Sequence, residues 1–178
     1  MKLRLVPSVA ALMLCTAPAT AALPVGAKAP LFTTEASLAG KAMPFSLANA
    51  LKKGPVVLYF YPAAFTPGCT VEAHDFAEAT DDFHKLGATV IGVSADPIAK
   101  LQRFSVSECR SKFAVASATP KIIADYDVKL ADTARANRTS YVIAPDGKII
   151  FEYSAMDPSG HVAKTMAAVK AWKAAHKG

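Results

Sequence analysis

Cysteine is scarce in this chain of 178 residues, which has only Cys15, Cys69 and Cys109 and no Cys-x-x-Cys pair. The missing pair argues against a protein that exchanges disulfides through two neighbouring cysteines. The four histidines show no metal-ligand spacing, so the sequence predicts no metal site. The basic residues form no stripe, and a net charge of +6 spread along the chain does not favour a nucleic-acid partner.

An apolar run at the start of the chain is typical of a signal peptide. Lys2 and Arg4 precede the run, which covers 5–14, and Ala19-Thr20-Ala21 provides the small-x-small pattern that a signal peptidase cleaves. Because the run is short and prolines interrupt it, a cleaved signal is favoured over a membrane anchor. We therefore expect residues 1–21 to be removed, and the mature protein to be exported to a bacterial periplasm without a membrane segment.

Export bears on the remaining cysteines. Removal of the signal peptide takes Cys15 away and leaves Cys69 and Cys109, an even pair in an oxidising compartment. Such a pair forms a disulfide only if the fold brings the two thiols together, and their spacing alone does not decide this.

The rest of the chain, 22–178, reads as one globular domain, because it contains no repeat, no low-complexity tract and no internal linker. Two continuous apolar runs, 56–61 and 88–94, predict strands that are buried on both faces of a sheet. A helix is predicted after each strand, over 66–87 and over 97–109. This alternation predicts parallel strands with right-handed crossovers.

The second half of the domain changes character. Two strand-like segments, 138–143 and 148–153, flank Ala144-Pro145-Asp146-Gly147, which is a tight-turn sequence, so a β-hairpin is predicted. A final helix is predicted over 159–176. The order of elements is that of an α/β, thioredoxin-like fold with a central mixed β-sheet flanked by helices.

Cys69 lies where the first predicted helix begins. Thr66 suits the N-cap position and Pro67 the first helical position, which puts Cys69 in the first turn. The N–H groups of a first turn have no intrahelical partner, and with the helix dipole they favour an anion. We therefore expect this thiol to ionise readily to the thiolate, which is the nucleophilic form of cysteine.

Pro62, Thr66 and Cys69 stand in a Pro-x-x-x-Thr-x-x-Cys arrangement. Around this motif the chain resembles the peroxiredoxins, the thiol peroxidases of the thioredoxin superfamily. Three further stretches match the same family: Thr70 with Glu72, the segment 138–148, and Gly160-His161. The TPGCTxE form and the Gly-His pair are most similar to the bacterioferritin comigratory protein, or Q-type, branch.

The resemblance implies a role for each matching residue. Cys69 would be the peroxidatic cysteine, and Arg138 would be the charge that favours its thiolate and holds the peroxide. Thr66 would offer a hydroxyl to the thiolate or the peroxide. Pro62 would shield the sulfur and shape the loop, while Glu72 would orient the arginine. A thiolate with fixed donors nearby suits attack on an O–O bond, because oxyanion charge develops on the departing oxygen.

Cys109 is implied to be the resolving cysteine. Some Q-type relatives place that cysteine five residues after the peroxidatic one, where this chain has His74, and others place it in the following helix, where Cys109 lies. The polar neighbours of Cys109, among them Glu108 and Arg110, predict an accessible thiol. A spectator thiol or a static disulfide at Cys109 is the alternative.

These observations predict a peroxidase that reduces hydrogen peroxide or organic hydroperoxides and needs no metal or organic cofactor. The sulfenic acid on Cys69 would condense with Cys109, and an external thioredoxin-like dithiol protein would reduce the disulfide. One alternative is a thioredoxin-like disulfide exchanger or electron carrier of the cell envelope. Another is a binding module with a stapling disulfide, which leaves Thr66 and Arg138 unexplained. Both a monomer and a homodimer are compatible with the sequence.

Overall fold

The computed structural model describes residues 22–176, so the predicted signal peptide lies outside the described residues. Within this range the chain forms seven strands and five helices. In chain order they are β1 (Thr33–Leu38), β2 (Lys41–Ser46), α1 (Leu47–Leu51), β3 (Val56–Phe60), α2 (Pro67–Lys85), β4 (Thr89–Ser94), α3 (Ile98–Ser107), β5 (Ala114–Ser117), α4 (Pro120–Asp125), β6 (Thr139–Ile143), β7 (Ile149–Ser154) and α5 (His161–Ala175). None of these helices is long and apolar enough to cross a membrane.

All seven strands join one mixed sheet in the order β2-β1-β5-β4-β3-β6-β7. The central strands β3, β4 and β5 run parallel, whereas β1, β2, β6 and β7 pair antiparallel with their neighbours. The fold predicted from the sequence, a thioredoxin-like mixed sheet flanked by helices, is confirmed.

Strand β3 separates two apolar cores because its side chains alternate between the faces of the sheet. Val56, Leu58 and Phe60 pack with α1 and α4 on one face. Val57, Tyr59 and Tyr61 pack with α2, α3 and α5 on the other face, in the core that also holds both Cys69 and Cys109. The two cores together explain why this strand has no polar residue.

One edge of the sheet gathers the segments that form the site. Phe60 at the end of β3 pairs with Thr139 at the start of β6, and Thr139 also pairs with Ser154 at the end of β7. The chain therefore leaves β3 toward Cys69 at the edge where Arg138 enters β6. Residues that are far apart in the sequence meet there.

The predicted strands and long helices are observed with their ends moved by one or two residues. Five elements lie outside the prediction, namely the strands β1, β2 and β5 and the short helices α1 and α4. Along α2, Ala73, Phe76 and Phe83 are buried, whereas Val71 is 49% exposed. Val71 lies on the opposite side of the helix from the buried residues Cys69, Glu72 and Ala73.

Gly92 in β4 makes room for the ring of its partner Tyr59 in β3. A Cβ atom at position 92 would lie 2.8 Å from both Cζ and the hydroxyl oxygen of Tyr59. The ring cannot move away easily, because it stacks on Phe76 with centroids 4.3 Å apart.

We expect Gly92→Ala to lower the free energy of unfolding by about 1–3 kcal/mol, because the added methyl group overpacks the core. Denaturant unfolding followed by circular dichroism measures the change. In a double-mutant cycle with Tyr59→Ala, the cost of Gly92→Ala should shrink. An unchanged unfolding midpoint in Gly92→Ala would contradict this packing argument.

Candidate active site

Cys69 is the third residue of α2 and is 1% exposed. Thr66 is the N-cap and Pro67 opens the helix, as the sequence predicts. The hydroxyl of Thr66 makes no capping bond and donates instead to the carbonyl of Ala63, at 2.9 Å. The N-cap side chain thus leaves the N–H groups of the first turn to another acceptor, such as a thiolate or a bound oxygen.

The loop before α2 is tied to the end of β4 by Asp96. Its Oδ2 accepts a hydrogen bond from the backbone N–H of Ala64 at 2.7 Å and another from the hydroxyl of Ser94 at 2.9 Å. Its Oδ1 pairs with Lys100 at 2.7 Å. Asp96 therefore holds the loop in place beside Pro62, which lies two residues after the end of β3 and is partly buried. Sequence reasoning did not assign Asp96 this role.

Arg138 immediately precedes β6 and is 3% exposed. Its Nη2 lies 3.4 Å from the sulfur of Cys69, its Nη1 donates to Oε2 of Glu72, and its Nε donates to the carbonyl of Met156 at 3.0 Å. Burial alone would lower the pKa of Arg138, but Glu72 and Cys69 raise it, so the guanidinium stays charged. Cys69, Glu72 and Arg138 therefore lie together in one buried cluster.

Gly68 allows the guanidinium to come this close to the helix. A Cβ atom at position 68 would lie 3.1 Å from Nη2 of Arg138, closer than most real contacts of this kind. A side chain here would push the arginine away from Cys69. Glycine in the sequence TPGC is thus explained by close approach of the charge, a role that sequence reasoning did not assign.

Glu72 is completely buried behind the arginine. Burial raises the pKa of Glu72, while the guanidinium of Arg138 acts to lower it and favours the carboxylate. One oxygen binds Arg138, while the other, Oε1, has no hydrogen-bond partner within the described part of the chain. That oxygen lies 3.7 Å from Nδ1 of His161.

His161 is also completely buried. Nδ1 lies 2.8 Å from the hydroxyl of Ser140, and Nε2 lies 3.0 Å from the carbonyl of Ala155. Burial lowers the pKa of His161, which favours the neutral imidazole. Sequence reasoning assigned His161 no part in catalysis. Its partners Ser140, Ala155 and Glu72 come from three other segments, and no pattern in the sequence around His161 indicates them.

The comparisons with known proteins agree with this geometry. A family model described as the AhpC/TSA family matches residues 25–152. The chain belongs to the peroxiredoxins of this family. Peroxiredoxin Bcp of Bacillus subtilis (strain 168) is 32% identical over 121 residues, which are 65% of this chain and 77% of that relative. The predicted branch, that of the bacterioferritin comigratory protein (Bcp), is confirmed.

Two solved structures are also similar to this chain. The crystal structure of peroxidoxin BcpB from Mycobacterium tuberculosis is 32% identical, with a TM-score of 0.75 and coverage of 83% of this chain and 96% of that chain. The reduced 2-Cys peroxiredoxin of Plasmodium vivax is 24% identical, covers 86% of this chain and 99% of its own, and shares the fold with a TM-score of 0.76. This peroxiredoxin is a thiol-dependent peroxidase, and the disulfide exchanger considered above is not favoured.

Cys109 differs from the expectation in one respect. It is completely buried, so the prediction of an accessible thiol is wrong. Cys109 follows the end of α3, where its backbone N–H bonds the carbonyl of Phe104 and turns its side chain into the core, while Arg110 remains exposed. Burial also raises the pKa of Cys109. Cys109 and Cys69 are both free thiols in this structure.

The position at which some Q-type relatives carry their resolving cysteine is occupied by His74. Its Nε2 lies 2.9 Å from Oε2 of Glu108, the residue before Cys109. His74 therefore links the first turns of α2 to the end of α3. No group of three histidine, cysteine, aspartate or glutamate side chains that could hold a metal ion is found in 22–176.

We expect Arg138→Ala to slow the reaction of Cys69 with peroxide by about 100-fold, because a fixed donor to the developing charge is lost. Arg138→Lys should also be slow, since an ammonium group cannot serve Cys69, Glu72 and Met156 in one planar geometry. The rate of Cys69 alkylation at neutral pH, resolved by peptide mass spectrometry, measures the thiolate directly. The exposed Arg135→Lys is the matched control. Alkylation at the wild-type rate in Arg138→Ala would make the arginine purely structural.

Proposed function

We propose that this peroxiredoxin reduces hydroperoxides through Cys69, with Cys109 as the resolving cysteine. The observation that carries the proposal is the sulfur of Cys69 in the first turn of α2, 3.4 Å from the buried guanidinium of Arg138. A nucleophile, a fixed cation and free first-turn N–H groups are combined at one point. Attack on a peroxide requires these groups together.

In the first step the thiolate of Cys69 attacks the terminal oxygen of the hydroperoxide. A sulfur–oxygen bond forms and the O–O bond breaks, so the peroxide is reduced by two electrons and leaves as an alcohol or water after taking up a proton. The sulfur is oxidised by two electrons to the sulfenic acid. Arg138 and the first-turn N–H groups face the oxygens on which negative charge develops. Thr66 and Pro62 shape the loop around that point.

In the second step the thiol of Cys109 attacks the sulfenic sulfur. A disulfide forms, and the hydroxyl group leaves as water with the thiol proton. Both sulfur atoms belong to the same apolar core, and neither is exposed. An opening of the first turn of α2 and of the end of α3 is therefore part of this step.

In the third step a dithiol protein of the thioredoxin type returns both cysteines to thiols and becomes a disulfide itself. The signal-like pattern over 1–21 supports export, so we place the enzyme and its reductant in the periplasm. Disulfide chemistry is favoured in that oxidising compartment. No metal or organic cofactor enters any step.

Cys69→Ser should abolish peroxide consumption, because serine cannot form the thiolate. Peroxide loss with dithiothreitol as electron donor measures the activity, and thermal unfolding checks the fold. Cys109→Ser is the matched control, since it retains Cys69 and should still consume one equivalent of peroxide when no excess is supplied and no donor is added. A folded Cys69→Ser protein with wild-type turnover would refute the proposed function.

Cys109→Ser should change the fate of Cys69 after the first turnover. Without the resolving thiol, the sulfenic acid persists and is oxidised further to sulfinic and sulfonic acid by excess peroxide. Peptide mapping should show a Cys69–Cys109 disulfide in the wild type and over-oxidised Cys69 in the variant. Only intermolecular disulfides in the wild type would mean that the sulfenic acid is resolved by another molecule.

A further inference from the structure

We infer that His161 is a positioning residue that holds Arg138 against Cys69. This inference rests on the proposed function, because it gives His161 a part in preparing the same thiol. Within residues 22–176, no hydrogen bond joins His161 to the sulfur of Cys69 or to the guanidinium of Arg138. It contacts the two structures that hold the guanidinium, namely the Ala155–Met156 segment and Glu72.

The first connection runs through the backbone after β7. The carbonyl of Ala155 can only accept, so Nε2 of His161 carries the hydrogen and donates to it, at 3.0 Å. The N–H of Ala155 bonds the carbonyl of Arg138 at 3.1 Å, and the carbonyl of Met156 accepts from Nε of Arg138 at 3.0 Å. His161 thus fixes the segment Ala155–Met156, which is hydrogen-bonded to both the backbone and the side chain of Arg138.

The second connection runs through the buried carboxylate. With its hydrogen on Nε2, the neutral imidazole has a lone pair on Nδ1, and the hydroxyl of Ser140 donates to it at 2.8 Å. The free oxygen of Glu72, Oε1, lies 3.7 Å from the same nitrogen. The imidazole therefore limits where Glu72 can rotate, and the other oxygen of Glu72 binds Arg138.

The position of His161 itself is well determined. It is the first residue of α5, after Gly160 with φ of 85°, a left-handed conformation that glycine adopts without strain. The ring packs edge-on against Tyr153, with centroids 4.7 Å apart. Ser140 is the second residue of β6 and lies two residues after Arg138, so the ring is fixed to the strand that directly follows the arginine.

A purely structural histidine would fill space between Tyr153 and the sheet, and an apolar side chain could replace it. A positioning histidine acts only through Arg138. The two roles differ in a double-mutant cycle, because removal of the guanidinium removes anything for His161 to position.

We expect His161→Leu to slow both alkylation of Cys69 and its reaction with peroxide by about tenfold or more, since small displacements of a catalytic group are costly in rate. His161→Gln should recover part of the loss, because its amide can reach the carbonyl of Ala155. In an Arg138→Ala background, His161→Leu should have no further effect on either rate. The exposed His176→Leu, at the other end of α5, is the matched control and should leave both rates unchanged.

Wild-type rates in a folded His161→Leu protein, or equal losses with and without Arg138, would overturn the inference. If His161→Leu fails to fold, Ser140→Ala decides the question, because it removes the donor that orients the ring. A smaller slowing that disappears in Arg138→Ala supports positioning, whereas unchanged rates refute it. Alkylation reports on the thiol without peroxide, so this result is separate from the test of the peroxidase reaction with Cys69→Ser.

Discussion

A positive charge buried in a protein must be compensated, and the guanidinium of Arg138 is compensated on three sides. Glu72 supplies a carboxylate, Met156 supplies a carbonyl, and the third side faces the sulfur of Cys69. The first two partners hold the cation in place, so that the third interaction is available for chemistry. Since an uncompensated buried charge would cost several kcal/mol, the site and the fold around it depend on one another.

The topology of the sheet brings these partners together. Glu72 and Cys69 come from one helix, Arg138 from the start of a strand, and Met156 from the segment after the neighbouring strand. The antiparallel pairing of β3 with β6 and of β6 with β7 places all of these at one edge. The parallel strand β4 ends at the same edge and contributes Asp96, which holds the loop before Cys69.

The parts of the fold that can be predicted are those with a local signal. The run 56–61 is buried on both faces, and Thr66 with Pro67 marks a helix start within three residues of Cys69. Strands β1 and β2 lack such an apolar run. β1 has only two buried residues, and β2 lies at the edge of the sheet, contains a proline and has its first four residues exposed. Helices α1 and α4 have five and six residues, which is too short for a periodic pattern.

The site follows the same division. The position of Cys69 at a helix start is local, whereas the role of Arg138 could be inferred only from the resemblance to a family. The burial of Cys109 was missed because its polar neighbours point outward while the turn after α3 points the thiol inward. His161 was missed because its partners, Glu72 and Ser140, are defined by packing between distant segments.

The turn that buries Cys109 has a further property. The next two residues, Arg110 and Ser111, both adopt left-handed backbone conformations, with φ of 49° and 56°. Residues other than glycine occupy this region at a cost of roughly 1 kcal/mol or more each. In the opening proposed for the second step, unwinding the end of α3 would release this strain. The free-energy difference between the closed and the unwound segment is therefore smaller than it would be with unstrained backbone. The strain therefore lowers the stability of the closed segment and, in the resolving step proposed above, would raise the population of the form in which Cys109 is exposed.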